Sequence, residues 1–230
     1  MADPSDDIVA RRAFGRRCVL GAAALWSLSG VIVKALSGLD GATIAFYRGL
    51  FAGLALLPVV PRSRWAVRPV MLLTIPLFAA MTGLFLAAVR ATTAANAIFL
   101  QNTAAFWMVP ASALLLREPP DRRSLAGIGL AAVGVAAIVL YGYRGPQERP
   151  GIALALGSGV AYAGVVVGMR GLRALDPIWL SAVNNLGGAL VQGAWIAATS
   201  GSIPRPGPGQ LVVLVAFGVV QMAIPYALFA

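Results

Sequence analysis

The chain has no histidine and one cysteine, Cys18, in 230 residues. A disulfide within the chain is therefore excluded, as are zinc sites and catalytic triads that need histidine or several cysteines. Cys18 is most simply a small buried apolar side chain. We expect neither a cofactor nor a metal site.

Charged residues are scarce as well. They make up 11% of the chain, whereas a soluble globular protein carries about 25%. Hydrophobic residues make up 59%. A soluble fold of this size would have too few polar residues to cover its surface, so the composition indicates a membrane protein.

The eight acidic residues all lie in tails, loops or the ends of predicted helices. Proton-coupled pumps commonly use carboxylates or histidines inside the membrane as relays. Because neither is present there, any coupling is expected to use Asp40, helices absent from this chain, or the exchange of one solute for another. A membrane-embedded enzyme would also need such groups, so we expect no enzymatic activity.

Eight apolar runs, numbered here as segments 1 to 8, are separated by short links rich in Pro, Arg and Asp. A helix of about 20 apolar residues spans a bilayer. The sequence therefore predicts an all-α fold, a polytopic membrane bundle of about eight transmembrane helices. The segments are Cys18–Leu36, Gly41–Val60, Pro69–Val89, Ala91–Leu116, Ser124–Tyr143, Gly151–Met169, Pro177–Thr199 and Gln210–Ala230.

Arginines are distributed unevenly between the two sides of this bundle. If the N-terminus is cytoplasmic, the cytoplasmic side carries Arg11, Arg12, Arg16, Arg17, Arg62, Arg64, Arg68, Arg117, Arg122, Arg123, Arg170 and Arg173, and the outer side carries Arg90, Arg144, Arg149 and Arg205. The positive-inside rule favours this orientation. It also accounts for most of the net charge of +10, so the expected partner of these arginines is the lipid bilayer and not nucleic acid.

The start of the chain allows a second interpretation. A basic region followed by an apolar run also describes a signal peptide, with a weak cleavage site near residues 35–38. Segment 1 is followed by many similar segments, which favours a first transmembrane helix. Without disulfides or targeting signals, the chain fits a bacterial inner membrane.

An internal repeat connects the two halves. Residues 21–54 align without gaps with residues 157–190 at an offset of 136, with seven identities in 34 positions. The alignment pairs Trp26 with Tyr162, Lys34 with Arg170, Asp40 with Asp176 and Arg48 with Asn184. Because the second copy begins five segments after the first, it enters the membrane from the opposite side. Inverted repeats of this kind are a transporter architecture, with the substrate near the midplane.

The repeat predicts three regions: a cytoplasmic tail (1–17), a first five-helix repeat (18–143) and an incomplete three-helix second repeat (144–230). Counterparts of segments 4 and 5, about 50 to 70 residues, would be missing. We therefore expect a truncated product or fragment of a ten-helix parent. An eight-helix product would have to form a homodimer to complete its second half, or be inactive.

Arg48 and Lys34 are the candidate cations of the transport path. A charge at membrane depth is costly, so Arg48 is expected to face a polar interior, where it could bind a carboxylate or phosphate bidentately. Lys34 would act as a gate or attract anions at the outer mouth. The alternatives are structural: Arg48 bonds backbone carbonyls or snorkels outward, and Lys34 is an interfacial anchor.

Uncharged polar and aromatic side chains complete the candidate substrate-binding set. Such groups can read the polar parts of a substrate, although hydrogen bonding between helices explains them equally well. They are Asn96, Gln101, Asn102 and Trp107 on segment 4, Tyr162 on segment 6, Asn184 and Asn185 on segment 7, and Gln221 on segment 8. Gln192 on segment 7 is interpreted in the same way.

Four stretches carry a family resemblance. They read ALWSLSGVIVKAL, ATIAFYRGLFAGLALL, ATTAANAIFLQNTAAFWMVPASALLLREPPDRRSLAGIGLAAVGVAAIVL and, more weakly, GIALALGSGVAYAGVVVG. The chain resembles the EamA-like transporters of the drug/metabolite transporter superfamily over nearly all of residues 18–230. One departure is that a Tyr-Thr-Ala-Pro-like stretch of many members reads Asn102-Thr103-Ala104-Ala105 here.

The resemblance implies a carrier of ten helices in two inverted five-helix repeats, with both termini cytoplasmic. It usually implies export of amino acids or related metabolites. We therefore expect a secondary transporter of small polar metabolites that works by alternating access. The alternative is a non-transporting membrane scaffold or an inactive truncated transporter.

Overall fold

The chain folds into a bundle of helices. The computed structural model describes residues 4–115, 122–141, 145 and 148–229. Helix makes up 84% of the structure, and the described residues contain no strand. The α-helices are α1 (Pro4–Ser27), α2 (Ser29–Ala35), α3 (Gly41–Leu56), α4 (Met71–Ala91), α5 (Ala94–Gln101), α6 (Ala104–Leu115), α7 (Arg122–Tyr141), α8 (Arg149–Arg170), α9 (Pro177–Ser200), α10 (Pro208–Gly218) and α11 (Ile224–Phe229). Two 3₁₀ turns, Leu57–Val59 and Arg62–Arg64, follow α3, and a π-helical turn, Val219–Ala223, joins α10 to α11.

The predicted polytopic helical bundle is confirmed. All eight predicted segments coincide with helix, and six of the described spans are long and apolar enough to cross a membrane. Helix α9 has 24 residues and is longer than any of these six spans, but Asn184, Asn185 and Gln192 lower its mean hydropathy. The described apolar part of α7, Ser124–Ala137, is shorter. Several predicted positions lie outside the described residues: Arg117, Arg144, the segment ends Leu116, Tyr143 and Ala230, and the repeat boundary at 143–144.

Two of the predicted segments are broken where side chains compete with the helix backbone. In segment 4, Asn102 Nδ2 donates to the carbonyl of Ile98 (2.9 Å), and Thr103 Oγ1 donates to that of Leu100 (2.6 Å). In segment 1, the Ser27 hydroxyl donates to the carbonyl three residues earlier (2.7 Å). Such local bonds offer the backbone an alternative to helical pairing. The breaks separate α5 from α6 and α1 from α2.

Two aspartates begin the two helices that the repeat alignment pairs. Asp40 is the N-cap of α3 and accepts hydrogen bonds from the backbone N–H and hydroxyl of Thr43, both 2.8 Å. Asp176 is the N-cap of α9 and accepts from the backbone N–H groups of Ile178 (2.9 Å) and Trp179 (3.1 Å). A carboxylate here satisfies otherwise unpaired N–H groups of the first turn. The aspartate match in the repeat thus has a local structural cause.

Helices α3, α4, α8 and α9 form the centre of the bundle. Helix α4 packs on α3, α8 and α9, and α3 packs on α9. On one flank, α5 and α6 pack on α8, and on the other, α10 and the π turn pack on α3 while α11 packs on α1. These central contacts place the polar residues of α3, α4 and α9 next to one another.

The contact between α3 and α9 depends on glycine. A Cβ atom added at Gly49 would lie 3.1 Å from the carbonyl oxygen of Asn185 and 3.6 Å from Ala189 Cβ. One added at Gly53 would lie 3.0 Å from the backbone nitrogen of Leu186. An added Cβ at Gly193 of α9 would lie 2.9 Å from the Phe46 ring of α3, so residue 46 meets residue 193 whereas residue 53 meets residue 186. The two helices therefore run antiparallel. Small residues allow this close approach of backbones.

Glycines also line the contact between α8 and α4. Added Cβ atoms at Gly157 and Gly164 would lie 3.4 Å from Leu84 Cδ1 and 2.9 Å from Leu77 Cδ1, respectively. These contacts also descend along α4 as they rise along α8, so this pair is antiparallel too.

A methyl group at Gly53 tests the importance of the α3–α9 contact. We expect Gly53→Ala to destabilise the protein by about 1–3 kcal/mol, because the added Cβ overpacks the interface. The control is Gly127→Ala, where an added Cβ meets nothing within 4 Å and better helix propensity favours alanine. Thermal unfolding in detergent measures both variants. Equal melting temperatures would contradict this account of the interface.

Candidate functional site

Arg48 lies in the middle of α3 and is buried, with 4% of its surface exposed. Its guanidinium carbon lies 5.2 Å from the centre of the Phe217 ring on α10, a cation–π distance. Its Nε is fully buried and has no hydrogen-bond partner among the described residues. Arg48 also forms no salt bridge with a described residue. The helix thus holds a permanent cation in an interior that does not neutralise it.

A small cavity lies beside Arg48, between α3, α4 and α9. It has no room for a water molecule in this conformation, whereas typical ligand pockets measure roughly 300–1,000 Å³. The lining residues are Ala45, Arg48, Gly49, Phe78, Thr82, Asn185, Gly188, Ala189 and Gln192. A metabolite would fit here only if the three helices moved apart.

Polar side chains on α4 and α9 form the wall opposite the cation. Gln192 Nε2 donates to Thr82 Oγ1 (2.8 Å) and to the carbonyl of Ala79 (2.9 Å), which ties α9 to α4. Asn185 Nδ2 donates to the carbonyl of Ser181 (2.8 Å). Its Oδ1 is buried without a partner among the described residues. The cavity therefore offers one unsatisfied donor, Arg48 Nε, and one unsatisfied acceptor, Asn185 Oδ1.

An aromatic cluster lies on the other side of Arg48. The rings of Trp26 and Tyr226 meet edge to face with centroids 6.0 Å apart. Gln221 lies in the π-helical turn and donates through Nε2 to the carbonyl of Trp26 (3.1 Å), while its Oε1 is buried without a described partner. Gln221 thus joins the last segment to the first, one helical turn beyond Phe217.

The predicted residues of segment 4 lie away from the Arg48 cavity. Asn96 is buried near the start of α5, where its Nδ2 donates to Thr92 Oγ1 (3.4 Å). Gln101 is half-buried, and Asn102 is exposed at the break between α5 and α6. Trp107 on α6 is 47% exposed. None of the four lines the cavity.

The remaining predicted residues are also dispersed. Tyr162 on α8 is 37% exposed, and buried Asn184 donates through Nδ2 to Met169 Sδ (3.4 Å). Lys34 donates through Nζ to the carbonyl of Thr92 (3.1 Å), which ties α2 to the turn before α5. Of the predicted residues, the structure brings together Arg48, Asn185 and Gln192 around the cavity, with Gln221 beyond Phe217.

Sequence reasoning missed Thr82 and Phe217 as neighbours of Arg48. Thr82 gives a weak signal, as a polar residue in an apolar run. Phe217 gives none, because one phenylalanine in a membrane segment resembles any other. Their roles follow from the packing of α4 and α10 on α3.

A second group of close contacts lies at one end of the bundle, outside the spans. Arg64 forms a salt bridge with Asp176 (2.9 Å). The Trp65 and Trp179 rings stack with centroids 4.9 Å apart, and Trp179 Nε1 donates to the carbonyl of Ala66 (2.7 Å). These contacts, named here the α9 clamp, fix the link after α3 to the start of α9.

The clamp lowers the pKa of Asp176 below its ordinary value. The main cause is the hydrogen bond from Arg64, followed by those from the backbone N–H groups of Trp179 and Ile178. Each of these contacts favours the charged carboxylate.

Comparison with known proteins identifies the family. The model of the EamA-like transporter family matches residues 14–140, more than half of the chain. The chain belongs to the EamA-like transporter family. It is therefore a multi-pass membrane protein of a transporter family in the drug/metabolite transporter superfamily.

A solved structure shares the fold of this chain. A crystal structure of a protein superposes with a TM-score of 0.68 at 18% sequence identity, covering 96% of this chain and 78% of that chain. At this identity, the likeness shows the fold alone. No match was found among curated proteins.

Replacing Arg48 tests whether its buried charge lowers the stability of the folded protein. We expect Arg48→Met to stabilise the EamA-like chain by about 1–4 kcal/mol, because an apolar side chain of similar length removes a buried charge that lacks a partner. Thermal unfolding in detergent measures the effect. Exposed Arg205→Gln is the control and should shift stability by less than about 0.5 kcal/mol. A melting temperature of Arg48→Met at or below wild type would refute the expectation.

Acidification tests the Arg64–Asp176 pair. Because the folded pKa of Asp176 is lowered, its carboxylate stabilises the fold above the ordinary carboxyl pKa of about 4. This contribution is lost as the pH falls through the lowered folded value. We expect wild type to unfold at a higher temperature than Asp176→Asn at pH 7, and the difference to shrink as the pH is lowered below that ordinary value. A difference that does not shrink there would show that it does not come from the charge.

Proposed function

We propose that the chain is a secondary transporter that exports small polar metabolites, such as amino acids or their derivatives, by alternating access. The observation that carries the proposal is the buried Arg48 guanidinium, which has no anionic partner among the described residues and lines a cavity between α3, α4 and α9. A buried cation is retained against its desolvation cost where it has a function. Export is the direction that the family resemblance implies.

The arrangement of the helices supports alternating access. Under the repeat alignment, α3 corresponds to α9, and the two pack antiparallel at the centre. The contact of α4 with α8 then corresponds to that of the last segment with the first, and the contact of α4 with α9 to that of α10 with α3. This pattern is expected for inverted repeats related by a pseudo-two-fold axis between α3 and α9.

The unsatisfied groups of the cavity support a substrate with both an anion and a hydrogen-bond donor. Arg48 can bind a carboxylate in its planar fork of N–H groups. Asn185 Oδ1 can accept a hydrogen bond from an ammonium or hydroxyl group. An uncharged or purely cationic solute would leave Arg48 uncompensated, so we expect such solutes to be rejected.

We place the protein in a bacterial inner membrane with its N-terminus in the cytoplasm. The excess of arginine in alternate links supports this orientation. The end that carries Arg64 and Asp176 is then cytoplasmic, and the turn with Pro204 is external.

Transport by the purified chain in proteoliposomes tests the proposal. Radiolabelled L-amino acids, tested one at a time by counterflow, are the probes. We expect at least one to be transported, and its carboxamide derivative not to compete. We expect Arg48→Met to reduce transport about 30-fold or more, because truncating one partner of a buried charge pair costs at least about 2 kcal/mol.

Arg205→Gln is the matched control and should transport at the wild-type rate. Arg48→Lys should recover only part of the activity, since an ammonium group lacks the bidentate fork. Unimpaired transport by Arg48→Met would overturn the assigned role of Arg48. If no probe moves in wild type, the scaffold alternative gains support.

A further inference from the structure

The two ends of the α3–α9 pair are closed by unequal contacts. At one end, the α9 clamp combines a salt bridge, a stacked pair of indole rings and a hydrogen bond. Asp176 contributes to this end in two ways: it caps α9, and it forms the ion pair with Arg64. Trp179 likewise stacks on Trp65 and donates to the carbonyl of Ala66.

The start of α3, which the repeat alignment pairs with the start of α9, has the helix cap but lacks the contacts of the α9 clamp. Asp40 caps α3 as Asp176 caps α9, but it forms no ion pair with a described residue. Thr43 occupies the position equivalent to Trp179, so the stacked ring has no counterpart. The link after α9 contains Arg205, but this arginine forms no ion pair with Asp40.

The contacts that join the start of α3 to the link after α9 and to α10 are neutral. Tyr47 donates through its hydroxyl to the carbonyl of Pro204 (3.1 Å), and Gln210 Nε2 donates to the carbonyl of Ser37 (2.8 Å). Both acceptors are backbone atoms, and neither contact joins opposite charges. Lys34 and Arg90 also donate to backbone carbonyls at this end, but they join α2 to the end of α4 and do not connect α3 with α9. Among the described residues, no ion pair or stacked pair of rings therefore holds α3 to the α9 side at this end.

We propose that the α9 clamp is the gate at its end of the transport path, and that it biases the protein towards the state in which this end is closed. The inference rests on the proposed alternating access. Opening that end requires the link after α3 to leave the start of α9, which breaks the Arg64–Asp176 and Trp65–Trp179 contacts together. At the other end, separating α3 from the link after α9 breaks the neutral hydrogen bond of Tyr47 with Pro204 and no ion pair between described residues.

Asp176→Asn isolates the charge of the gate from the cap of the helix. Asparagine caps a helix about as well as aspartate, so α9 keeps its start while the ion pair is lost. Asp40→Asn is the matched control, because it makes the same change at the equivalent cap, where no ion pair is present. Trp65→Ala removes the ring stack, and Arg64→Lys keeps the charge.

A single reporter cysteine measures the state of the gate without relying on transport. Ala45→Cys, in a Cys18→Ser background, places a thiol in the lining of the Arg48 cavity. A membrane-impermeant maleimide is added to right-side-out or inside-out vesicles, so each end is probed separately. Detergent melting curves of every variant establish that it is folded.

We expect Asp176→Asn to speed labelling from the clamp end only about two- to fivefold, because the lost contact is one exposed ion pair and such pairs are weak. Trp65→Ala should also speed labelling from the clamp end, and the double variant should be labelled faster than either single variant. Arg64→Lys keeps the charge, so its labelling should stay as slow as in wild type. Labelling from the opposite end should fall. Asp40→Asn should change neither rate.

Unchanged labelling in both Asp176→Asn and Trp65→Ala would overturn the gate, even if wild type transports a solute. So would an equal effect of Asp40→Asn, since the cap and not the clamp would then be responsible. If labelling shifts as expected but no probe is transported, the gate stands and the proposed transport is what fails. The two proposals are therefore separable.

Discussion

The close antiparallel contact of α3 with α9 is the constraint on which the rest of the structure depends. Gly49 and Gly53 let the two backbones meet, and this approach places Arg48 beside Asn185. With larger side chains at the glycines, the helices would separate, and the cation would face either lipid or an open gap. The buried position of Arg48 thus depends on a helix contact that is made by glycines, which have no side chain.

Unlike its polar centre, the periphery of the bundle is held by hydrogen bonds to backbone atoms. Lys34, Arg90 and Gln221 each donate to a carbonyl on another segment. Several of these carbonyls lie near helix ends or breaks, where they are short of helical partners. Polar side chains in this chain therefore have two roles: some join segments through backbone carbonyls, and others, such as Arg48 and Asn185, hold buried polar atoms that have no partner among the described residues.

The sequence predicted the helices well because length and apolarity alone define a membrane span. The site was harder to predict. Arg48 could be identified, since a lone cation in an apolar run is conspicuous, and Asn185 could be named among the amides. Which amides meet Arg48 depends on helix rotation and crossing, and linear spacing does not encode either. For the same reason, Trp107 and Asn96 were both named as candidates although neither lines the cavity, and Phe217 was not distinguished from other apolar residues.

The π-helical turn at Val219–Ala223 has a geometric consequence for the last segment. A π turn holds one residue more than an α turn, and one α-helical residue corresponds to about 100° of rotation and 1.5 Å of rise. If this turn tightened to α-helical geometry, everything after it would turn and advance by about that amount. Tyr226, which now meets the edge of Trp26, would face a different neighbour. The π turn is thus a point within a continuous helix about which the end of the last segment can rotate.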